Sequence, residues 1–524
     1  MTRAPFGGRD RRAVAFPGPP GVERVKQPRT VAVVGGGIAG MAAACGLAER
    51  GVDVELIEPH AELGGRVRAW QTNSPAGAVT MSRGFHAFFR QYYNLRALLS
   101  RAGDLSEMLQ PVADYPVVSA HGDRDSFTKI PRTPPWNFMT FVAQSPTFSL
   151  RDLTRVDLDT ALALLDVSFP ESYRDLQGLS AAQFLDKLRF PERARHLALE
   201  VFARSFFADP EDFSAGELVA MFHSYFLGSA EGLLFDVARD DFDTALWQPL
   251  GSALERAGVR RSVARVSEVR RSSDGARWQV IREDGERSTV DGVVLAAGPG
   301  ATRDIVAASS TVGTAQWRKR VADVRLAPAF AVLRLWLDGK VSDDRPAFLG
   351  TAAYGPLDNI SVMERFERGA AEWSAANNGS VVELHAYAIH DDDAADPVRR
   401  KQLGDRLRAE LARVYPETAS LSIIAQEFLI EQDCALLGTG RWEERPEVRT
   451  PASGIVLAGD WVRTDLPIAL MERAATTGWM AANELLRDWG VAGHTLWSVP
   501  ISSRQRWPGI SRALMERLPG RRRA

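Results

Sequence analysis

The sequence predicts an α/β fold with a parallel sheet, and three observations lead to that prediction. An apolar run, Thr30–Val34, leads directly into a glycine-rich turn with the pattern G-x-G-x-x-G at residues 35–40. A stretch with helical character covers residues 41–50, and a second apolar strand covers residues 52–57. That strand ends at Glu58, 23 residues after the first glycine. A strand, a glycine turn, a helix and a strand closed by an acid are typical of a unit that binds a dinucleotide.

Each glycine of this turn has a separate physical role. Gly35 allows the tight turn, and Gly37 lets backbone N–H groups at the start of the helix approach a pyrophosphate. Gly40 allows the helix to pack closely on the sheet. Glu58 is placed to accept hydrogen bonds from ribose hydroxyl groups. The predicted dinucleotide-binding residues of the unit are Gly35, Gly37, Ile38, Ala39, Gly40 and Glu58.

Length and composition indicate a globular protein of several domains. The 524 residues allow about two to four domains of ordinary size. Apolar residues make up 45% of the chain and charged residues 25%, which excludes a disordered or fibrous protein. No apolar run reaches the roughly 18–20 residues that span a bilayer, which excludes an integral membrane protein. The two cysteines, Cys45 and Cys434, cannot form a disulfide framework, so we expect a cytoplasmic protein.

Positive charge is concentrated at the two ends of the chain. Residues 1–30 contain seven Arg or Lys and two acids, and residues 504–524 contain seven Arg and one acid. Basic ends attract anionic surfaces such as lipid or nucleic acid, although they also keep proteins in solution. The sequence has no base-reading motif, so we expect no nucleic-acid partner and peripheral association with a membrane. Residues 1–28 are predicted to form a disordered arm, and residues 510–518 a short basic amphipathic helix.

Two further segments give the chain a family resemblance. Leu63-Gly-Gly-Arg-Val-Arg68 follows the first unit, and Gly454-Ile-Val-Leu-Ala-Gly-Asp460 lies near the far end. Together with residues 467–482, these motifs resemble the FAD-dependent amine oxidase and carotenoid desaturase flavoproteins. The resemblance implies that FAD is the cofactor and that a helix N-terminus near Met471 points at the isoalloxazine ring, where it stabilises negative charge on reduced flavin. The residues that the resemblance adds to the FAD site are Gly65, Arg66, Val266, Gly459, Asp460 and Met471.

The resemblance also implies how the chain is divided. The two FAD signatures lie more than 400 residues apart, so a Rossmann-like FAD-binding domain is interrupted by an α+β substrate domain, as in amine oxidases and phytoene desaturases. The expected segments are a disordered basic arm (1–28), three parts of the FAD-binding domain (29–110, 241–305 and 446–490), two parts of the substrate domain (111–240, mostly helical, and 306–445, strands and helices) and a basic tail (491–524).

Residue patterns predict secondary structure within these segments. Residues 150–235 are predicted to be helical, with capping boxes that begin at Ser180 and Ser214. The predicted strands lie at 263–269, 279–282, 325–338 and 381–389, and residues 293–298 are predicted to form a buried strand and a turn.

The segment 82–94, Ser-Arg-Gly-Phe-His-Ala-Phe-Phe-Arg-Gln-Tyr-Tyr-Asn, narrows the resemblance. With residues 204–214 and 445–451, it is similar to carotenoid desaturases, most of all to the branch that makes aromatic end groups. This implies that a β-ionone ring of β-carotene or a related carotenoid is oxidised, with migration of one methyl group, to a φ end group. The alternatives are a χ-ring synthase, a linear carotene desaturase or isomerase, a squalene-pathway flavoprotein, and a carotenoid-binding flavoprotein without turnover. The sequence identifies no external electron acceptor.

His86 is the predicted catalytic residue, either for proton removal or for orientation of the flavin. A histidine that only holds its loop through a hydrogen bond is the alternative. Glu472 and Arg473 either pair with each other or are first-turn charges of the last helix. Arg83 stands where many members of the family carry an acid, so the chemistry of those members does not transfer to this position.

Several other side chains allow both a functional and a structural interpretation. No metal site is predicted, because a strand end and a polar loop explain His385, His390 and the acids 391–393 better than metal ligation does. The residues around Cys434 do not match the segment to which some amine oxidases attach flavin covalently. Aromatic residues in the inserted helices either wall a carotenoid tunnel or form ordinary core, and these are Phe202, Phe206, Phe207, Phe222, Tyr225 and Phe226.

Overall fold

Five parallel strands form the sheet that carries the glycine-rich turn. The structure is a computed structural model, and it describes residues 10–146, 155–189, 191 and 206–503. The strands come from the first, middle and last parts of the chain, and every pairing between neighbours is parallel. The carboxyl ends of all five strands therefore meet at one edge. Their order across the sheet is Arg260–Val263, Asp53–Glu58, Thr30–Val34, Gly292–Leu295 and Ile455–Leu457.

The helix after the first strand is Ile38–Ala48, which begins three residues before the predicted start at residue 41. The start is earlier because Gly37 has an extended backbone and occupies the N-cap position, so Ile38 is already helical. The helix is buried along its whole length and packs against helix Leu470–Asp488. A Cβ atom on Gly478 would lie 2.2 Å from the carbonyl oxygen of Ala39, so the two helices touch through backbone. This contact joins the first and last parts of the chain.

A seven-stranded sheet forms the second half of the fold. Its strands run antiparallel to their neighbours except for one parallel pair, Val117–Ser119 with Phe348–Ala352. In the centre, Arg334 lies opposite Glu383 and Val332 lies opposite His385. The order across the sheet is Ile423–Glu431, Ala329–Leu337, Ser380–Ile389, Asn359–Val362, Phe348–Ala352, Val117–Ser119 and Arg124–Asp125. The strands predicted at 325–338 and 381–389 are confirmed.

Smaller sheets and helices surround these two sheets. Among the described residues, every helix is too short or too polar to cross a lipid bilayer. The remaining strands are Ala69–Ser74 with Gly77–Ser82, Phe88–Phe89 with Phe235–Ala238 and Leu109–Pro111, and Val266–Arg271 with Trp278–Arg282 and Arg287–Val290. The remaining α-helices are Tyr93–Leu99, Leu105–Met108, Trp136–Gln144, Leu158–Leu165, Glu171–Asp175, Ala181–Lys187, Ala215–Phe222, Gln248–Arg256, Pro299–Ala308, Ala315–Ala322, Arg368–Asn377, Asp391–Ala395 and Pro397–Val414. The π-helices are His223–Leu227 and Asp243–Trp247. The 3₁₀ turns are Gly65–Val67, Met363–Arg365, Pro416–Ser420 and Trp442–Glu444.

The strand predicted at 263–269 is wrong as a single element. The chain leaves the parallel sheet after Val263, where the Ala264 N–H donates to the carbonyl oxygen of Glu58 at 3.0 Å. A new strand begins at Val266 in an antiparallel three-stranded sheet. The chain thus crosses from one sheet to another within the predicted strand, and Val266 is the first residue after the crossing.

The prediction that residues 1–28 form a disordered arm is wrong for residues 14–28. Val14–Phe16 pairs in antiparallel fashion with Leu496–Ser498. A Cβ atom on Gly18 would lie 2.5 Å from the carbonyl carbon of Gly493, and one on Gly21 would lie 2.4 Å from the carbonyl oxygen of Gly490. The glycines therefore permit backbone-to-backbone packing here rather than disorder. Residues 1–9 lie outside the described residues.

The predicted basic tail also begins inside the packed protein. Val491, Leu496 and Val499 are buried, and the Phe169 N–H donates to the carbonyl oxygen of Ile501. Residues 491–503 therefore belong to the folded part. The predicted amphipathic helix at 510–518 lies outside the described residues.

The described part of the inserted segment contains short helices joined by turns, and only one of the two predicted capping boxes is confirmed. Ser180 Oγ accepts the Gln183 N–H at 3.1 Å, and Gln183 Oε1 accepts the Ser180 N–H at 3.0 Å. The box predicted at Ser214 is wrong, because the side chain of Glu217 is buried and binds arginines from other elements instead of its own N-cap.

Candidate functional site

One cavity of about 650 Å³ lies between the carboxyl edge of the five-stranded sheet and the seven-stranded sheet. Ligands bind to open parallel sheets at this edge. Gly40 is the one predicted site residue that does not line the cavity. The predicted residues that do are Gly35, Gly37, Ile38, Ala39, Glu58, Gly65, Arg66, His86, Val266, Gly459, Asp460 and Met471.

The glycine turn leaves space for a ligand on one side only. At Gly40, a Cβ atom would lie 1.8 Å from the carbonyl oxygen of Gly35, so the helix meets the turn without a gap. At Gly37, a Cβ atom would find no neighbour nearer than 3.8 Å. The first N–H groups of helix Ile38–Ala48 have no intrahelical acceptors, and the helix dipole adds positive potential there. This end of the cavity fits a pyrophosphate.

Glu58 fixes the turn to the end of the second strand. Its Oε2 accepts the Gly36 N–H at 2.6 Å, and its Oε1 accepts the His60 N–H at 3.2 Å. The carboxylate is buried and lines the cavity beside the turn. This position is compatible with the predicted hydrogen bonds to ribose, which stay a prediction.

The Gly64-Gly65-Arg66 segment lies directly beside the glycine turn, because the Gly64 N–H donates to the carbonyl oxygen of Gly36 at 2.9 Å. Gly64 has a φ of 103° and faces the indole of Trp247, where a Cβ atom would lie 2.3 Å from Nε1. Gly65 has a φ of 58° and faces Gly37, where a Cβ atom would lie 3.1 Å from Cα. These conformations bring Arg66 to Asp460, with which it forms an ion pair. Two signatures that are almost 400 residues apart are therefore in direct contact.

Helix Leu470–Asp488 directs its N-terminus into the cavity. Leu470 and Met471 line the cavity, and Leu470 has a φ of 53°, a conformation that costs about 1–2 kcal/mol for a residue with a side chain. Arg473 holds this turn, because its Nε donates to the carbonyl oxygen of Ile468 at 2.9 Å. A 19-residue helix that begins at the cavity supplies positive potential there for an anionic ring or phosphate.

The other end of the cavity is walled by aromatic rings. Of the six aromatic residues considered from sequence, Phe206, Phe207 and Tyr225 line the cavity. Phe222 and Phe226 pack on each other instead, and Phe202 lies outside the described residues. Part of the group therefore lines the cavity, as a tunnel wall would, and part belongs to the ordinary core. The other Phe, Tyr and Trp residues that line the cavity are Phe85, Phe89, Tyr92, Tyr115, Phe127, Phe235, Phe330, Phe348, Tyr387 and Trp461.

His86 lies where the two ends of the cavity meet. Its Nδ1 is 2.7 Å from the carbonyl oxygen of Gly84, so Nδ1 donates and Nε2 carries no proton. The ring packs edge-on against Phe242 at 5.4 Å. Burial lowers the pKa of His86 to about 4, so the ring is neutral at pH 7. His86 therefore holds its loop through a hydrogen bond and also lines the cavity, while its catalytic role stays a prediction.

A cluster of buried charges lies behind the cavity in the seven-stranded sheet. Arg334 Nη2 donates to Glu383 Oε2 at 2.7 Å, and Arg334 Nη1 donates to Glu367 Oε2 at 3.2 Å. Burial alone would raise the pKa of Glu383, but the guanidinium outweighs it and holds that pKa at about 2. Burial raises the pKa of Glu367 to about 7. Glu383 therefore holds the negative charge that balances Arg334.

His385 and Tyr387 connect this cluster to the cavity, which both of them line. His385 Nε2 is 2.8 Å from Glu383 Oε1, and His385 Nδ1 is 2.7 Å from Tyr387 Oη. Nowhere in residues 10–146, 155–189, 191 and 206–503 do three or more His, Cys, Asp or Glu side chains meet in a group that could hold a metal ion. His385 has a carboxylate and a phenol as its neighbours.

Glu472 and Arg473 do not pair with each other, so that alternative is wrong. Glu472 accepts the N–H groups of Asn94 and Leu95, each at 2.9 Å, and so caps a different helix. Arg473 binds the buried carboxylate of Glu217. Both side chains therefore fix the last helix to its neighbours.

Two more side chains of interest lie near Arg66, and these are Arg83 and Cys434. Arg83 donates to Asp433 at 2.6 Å, so the arginine that replaces an acid is itself paired with an acid. Cys434 lines the cavity, and burial raises the pKa of its thiol to about 11. The thiol is therefore protonated at neutral pH.

Sequence reasoning missed Glu383, His385 and Tyr387 as a group. The signal was present, because they stand at alternate positions of strand Ser380–Ile389 and therefore on one face. Polar side chains at every second position of a strand otherwise made of apolar residues indicate a buried polar face. Their partner Arg334 lies 49 residues before Glu383 and becomes visible only through strand pairing.

Comparison with known proteins agrees with this geometry. The family model of flavin containing amine oxidoreductases matches residues 38–486. A carotenoid phi-ring synthase of Streptomyces griseus is 52% identical over 501 residues, which cover 95% of each chain. A carotenoid phi-ring synthase of Chlorobaculum tepidum is 25% identical over 580 residues, which cover 88% of this chain and 89% of that protein.

The fold also occurs among solved structures. Cyclohexylamine oxidase from Brevibacterium oxydans IH-35A superposes with a TM-score of 0.62 at 14% identity, covering 88% of this chain and 99% of that one. The family match spans most of the sequence, and the glycine turn, the Arg66–Asp460 pair and the two helix N-termini form a cradle that fits FAD. The chain therefore belongs to the flavin-containing amine oxidoreductase family and is an FAD-dependent oxidoreductase.

Proposed function

We propose that the protein oxidises the β-ionone ring of β-carotene, with a 1,2-shift of one methyl group, to an aromatic φ end group. The observation that carries this proposal is the 52% identity with the Streptomyces griseus phi-ring synthase along 95% of both chains. The aromatic walls of the cavity support it, because a polyene offers only apolar surface for binding.

The residues at the sheet edge would hold FAD. The glycine turn and the first N–H groups of helix Ile38–Ala48 would bind the pyrophosphate, and Glu58 the ribose. Arg66 and Asp460 would bind the ribityl and phosphate part, with Gly65, Val266, Gly459 and Met471 nearby. FAD supplies the acceptor for the hydride that leaves an allylic carbon.

The apolar end of the cavity has two tasks in such a reaction. Its rings would exclude water, which would otherwise add to a cationic form of the substrate. Phe85, Phe235 and Phe348 line this end of the cavity, and the face of an aromatic ring attracts positive charge. His86 is the residue that the sequence predicted for proton removal or for orientation of the flavin.

We also propose that the protein attaches to an anionic lipid surface, from which a carotenoid enters the cavity. Helix Trp136–Gln144 buries Phe141 against Phe127, and Phe127 lines the cavity. The basic side chains of Lys129 and Arg132 are exposed just before this helix, so charge and apolar surface occur together. The exposed apolar side chains of this helix are Trp136 (61%) and Met139 (55%), and Leu158 (66%) is exposed at the start of helix Leu158–Leu165.

The decisive experiment is expression in a host that accumulates β-carotene, followed by chromatography and mass spectrometry of the pigments. We expect carotenoids with one or two φ rings. Altered linear carotenes would support a desaturase or isomerase, χ rings would support the other ring synthase, and unchanged β-carotene would support a binding protein without turnover. Each of these three results would overturn the proposed function.

The order of the chemical steps has its own test. One round of hydride loss, methyl shift and proton loss gives a ring with two double bonds, and a second loss of hydride and proton completes the aromatic ring. The shift moves one geminal methyl carbon to the neighbouring ring carbon. A substrate labelled with ¹³C in both geminal methyl groups must therefore give an aromatic ring with one label at the original carbon and one at the neighbouring carbon. An aromatic product without labelled methyl at the neighbouring carbon would refute the methyl shift.

A further inference from the structure

Three side chains on one face of strand Ser380–Ile389 form a row of hydrogen bonds that ends at the cavity. Glu383 Oε1 lies 2.8 Å from His385 Nε2, and His385 Nδ1 lies 2.7 Å from Tyr387 Oη. Glu383 and His385 are almost wholly buried, whereas Tyr387 lines the cavity and packs edge-on against Phe207 at 5.2 Å. We name Glu383, His385 and Tyr387 the strand relay.

Hydrogen-bond donors and acceptors fix the protons of the strand relay. Arg334 donates twice to Glu383 Oε2, at 2.7 and 2.9 Å, so Glu383 is a carboxylate. The proton between Glu383 and His385 therefore belongs to Nε2, although the Phe85 N–H also lies 3.2 Å from that nitrogen. Nδ1 is then an acceptor, and the Tyr387 hydroxyl donates to it. Asn359 Nδ2 donates to the phenol oxygen at 3.0 Å.

We propose that Tyr387 accepts the proton that the substrate ring loses, that His385 takes the Tyr387 hydroxyl proton in turn, and that Glu383 stabilises the resulting positive charge. This inference rests on the proposed function. In the step, a C–H bond beside the cationic centre breaks, and its electron pair forms the new ring double bond. The proton goes to Tyr387 Oη while the Tyr387 hydroxyl proton moves to His385 Nδ1. Positive charge thus leaves the substrate and ends on an imidazolium beside the Glu383 carboxylate.

The strand relay suits this step better than His86 does. A proton on His86 Nε2 would create a buried cation, and the polar contact of His86 is the Gly84 carbonyl oxygen rather than a carboxylate. A proton on His385 is stabilised by Glu383 at 2.8 Å. The other charged or titratable groups that face the strand relay are Arg334 and Glu367 from behind, Arg83 and His86 from the loop before strand Phe88–Phe89, and Asp358, which accepts the Tyr387 N–H.

The experiment separates hydride loss from proton loss in the FAD-loaded enzyme. The wild type and Tyr387→Phe are mixed with β-carotene in detergent micelles. Flavin reduction is followed without oxygen in one turnover. Ring products are followed with an artificial electron acceptor present, because an aromatic ring requires the removal of four electrons and one FAD accepts two. For Tyr387→Phe, we expect flavin reduction within about threefold of wild type. We expect the rate of aromatic ring formation to fall by about 100-fold or more, the scale of general base catalysis, with partly oxidised rings accumulating.

Three further variants make the result decisive. His385→Gln should show the same split in a weaker form, since it removes the relay but keeps the phenol. Tyr415→Phe is the matched control, because this buried tyrosine lies in the same half of the fold away from the cavity, and it should behave as wild type. FAD content and the thermal unfolding midpoint verify that each variant is folded.

The inference is overturned if Tyr387→Phe forms aromatic rings at the wild-type rate, or if it loses flavin reduction and ring formation equally. It is also overturned if His86→Phe alone keeps flavin reduction while it loses ring formation. Wild type that makes no aromatic rings would refute the proposed function instead.

Discussion

At Gly40, the backbone of the glycine turn leaves no space for a side chain. A Cβ atom there would lie 1.8 Å from the carbonyl oxygen of Gly35, and neither group is the mobile end of a side chain. We predict that Gly40→Ala separates the helix from the turn and that the purified protein contains less than about a tenth of the FAD of wild type. Flavin absorbance per mole of protein measures this. A Cβ atom on Gly440 would meet no other atom within 4 Å, so Gly440→Ala should keep its FAD. Equal FAD content in both variants would contradict the prediction.

His86 makes stability depend on pH in a calculable direction. Burial lowers its pKa to about 4, whereas an unfolded histidine has its ordinary pKa of about 6.5. Between these values the unfolded chain binds more protons, so the stabilisation is complete above pH 6.5 and is lost as the pH falls towards 4. The full loss is at most about 3 kcal/mol, and less where the cavity admits solvent.

We therefore predict that His86→Phe loses less stability than wild type between pH 7 and about pH 4.5. Urea denaturation at both pH values measures the difference, and the comparison concerns the change with pH rather than the absolute stability. His121→Gln, at an exposed position, should follow wild type. A change with pH that is the same in His86→Phe and wild type would refute the assignment.

At the scale of elements, Glu472 ties two helices together. Its carboxylate caps the first N–H groups of helix Tyr93–Leu99 while its backbone belongs to helix Leu470–Asp488. Glu472→Leu would leave both N–H groups buried without an acceptor. We predict a loss of about 2–4 kcal/mol in the free energy of unfolding, measured by urea denaturation.

The matched control for this prediction lies on the same helix. Glu484 binds Arg449 and Arg487, both of which are mostly exposed, so these ion pairs stabilise the fold by at most about 1 kcal/mol. Glu484→Leu should therefore cost much less than Glu472→Leu. Equal costs would show that the capping contact contributes little.

Helices and strands that depend on neighbouring residues could be predicted from the sequence. Those that depend on residues far away along the chain could not. The βαβ unit around Gly35 follows from neighbouring residues, so its strands and helix were found to within three residues. Strand Val14–Phe16 exists because Leu496–Ser498 lies beside it, and nothing near residue 14 signals this. Ser214 fails as a capping box for the same reason, because Glu217 binds Arg445 and Arg473, more than 200 residues away.

At the scale of the whole molecule, the FAD cradle was predictable but the strand relay was not. The cradle residues carry motifs that identify them in isolation, such as the glycines of the turn and Gly64-Gly65-Arg66. The relay depends on the register that places Arg334 opposite Glu383, and no motif encodes that register. Successive segments of the chain alternate between the two sheets, which agrees with an interrupted domain. The boundaries of the domain segments stay predictions.

Attachment to lipid is a property of the whole molecule, because it joins a surface to the cavity. Trp136 and Met139 project from a helix whose other face packs on the cavity wall, so lipid contact would place the bilayer beside the cavity. We predict that the double variant Trp136→Ser with Met139→Ser binds vesicles of phosphatidylglycerol and phosphatidylcholine at least about tenfold more weakly, since each side chain buries apolar area in the lipid. Co-sedimentation measures binding, and higher salt should weaken it further.

Val263 is equally exposed (66%) on another part of the surface, so Val263→Ser should bind like wild type. FAD content and turnover of detergent-dissolved substrate should be unchanged in the double variant, because neither residue lines the cavity. Vesicle binding equal to that of wild type would place the lipid contact elsewhere on the chain.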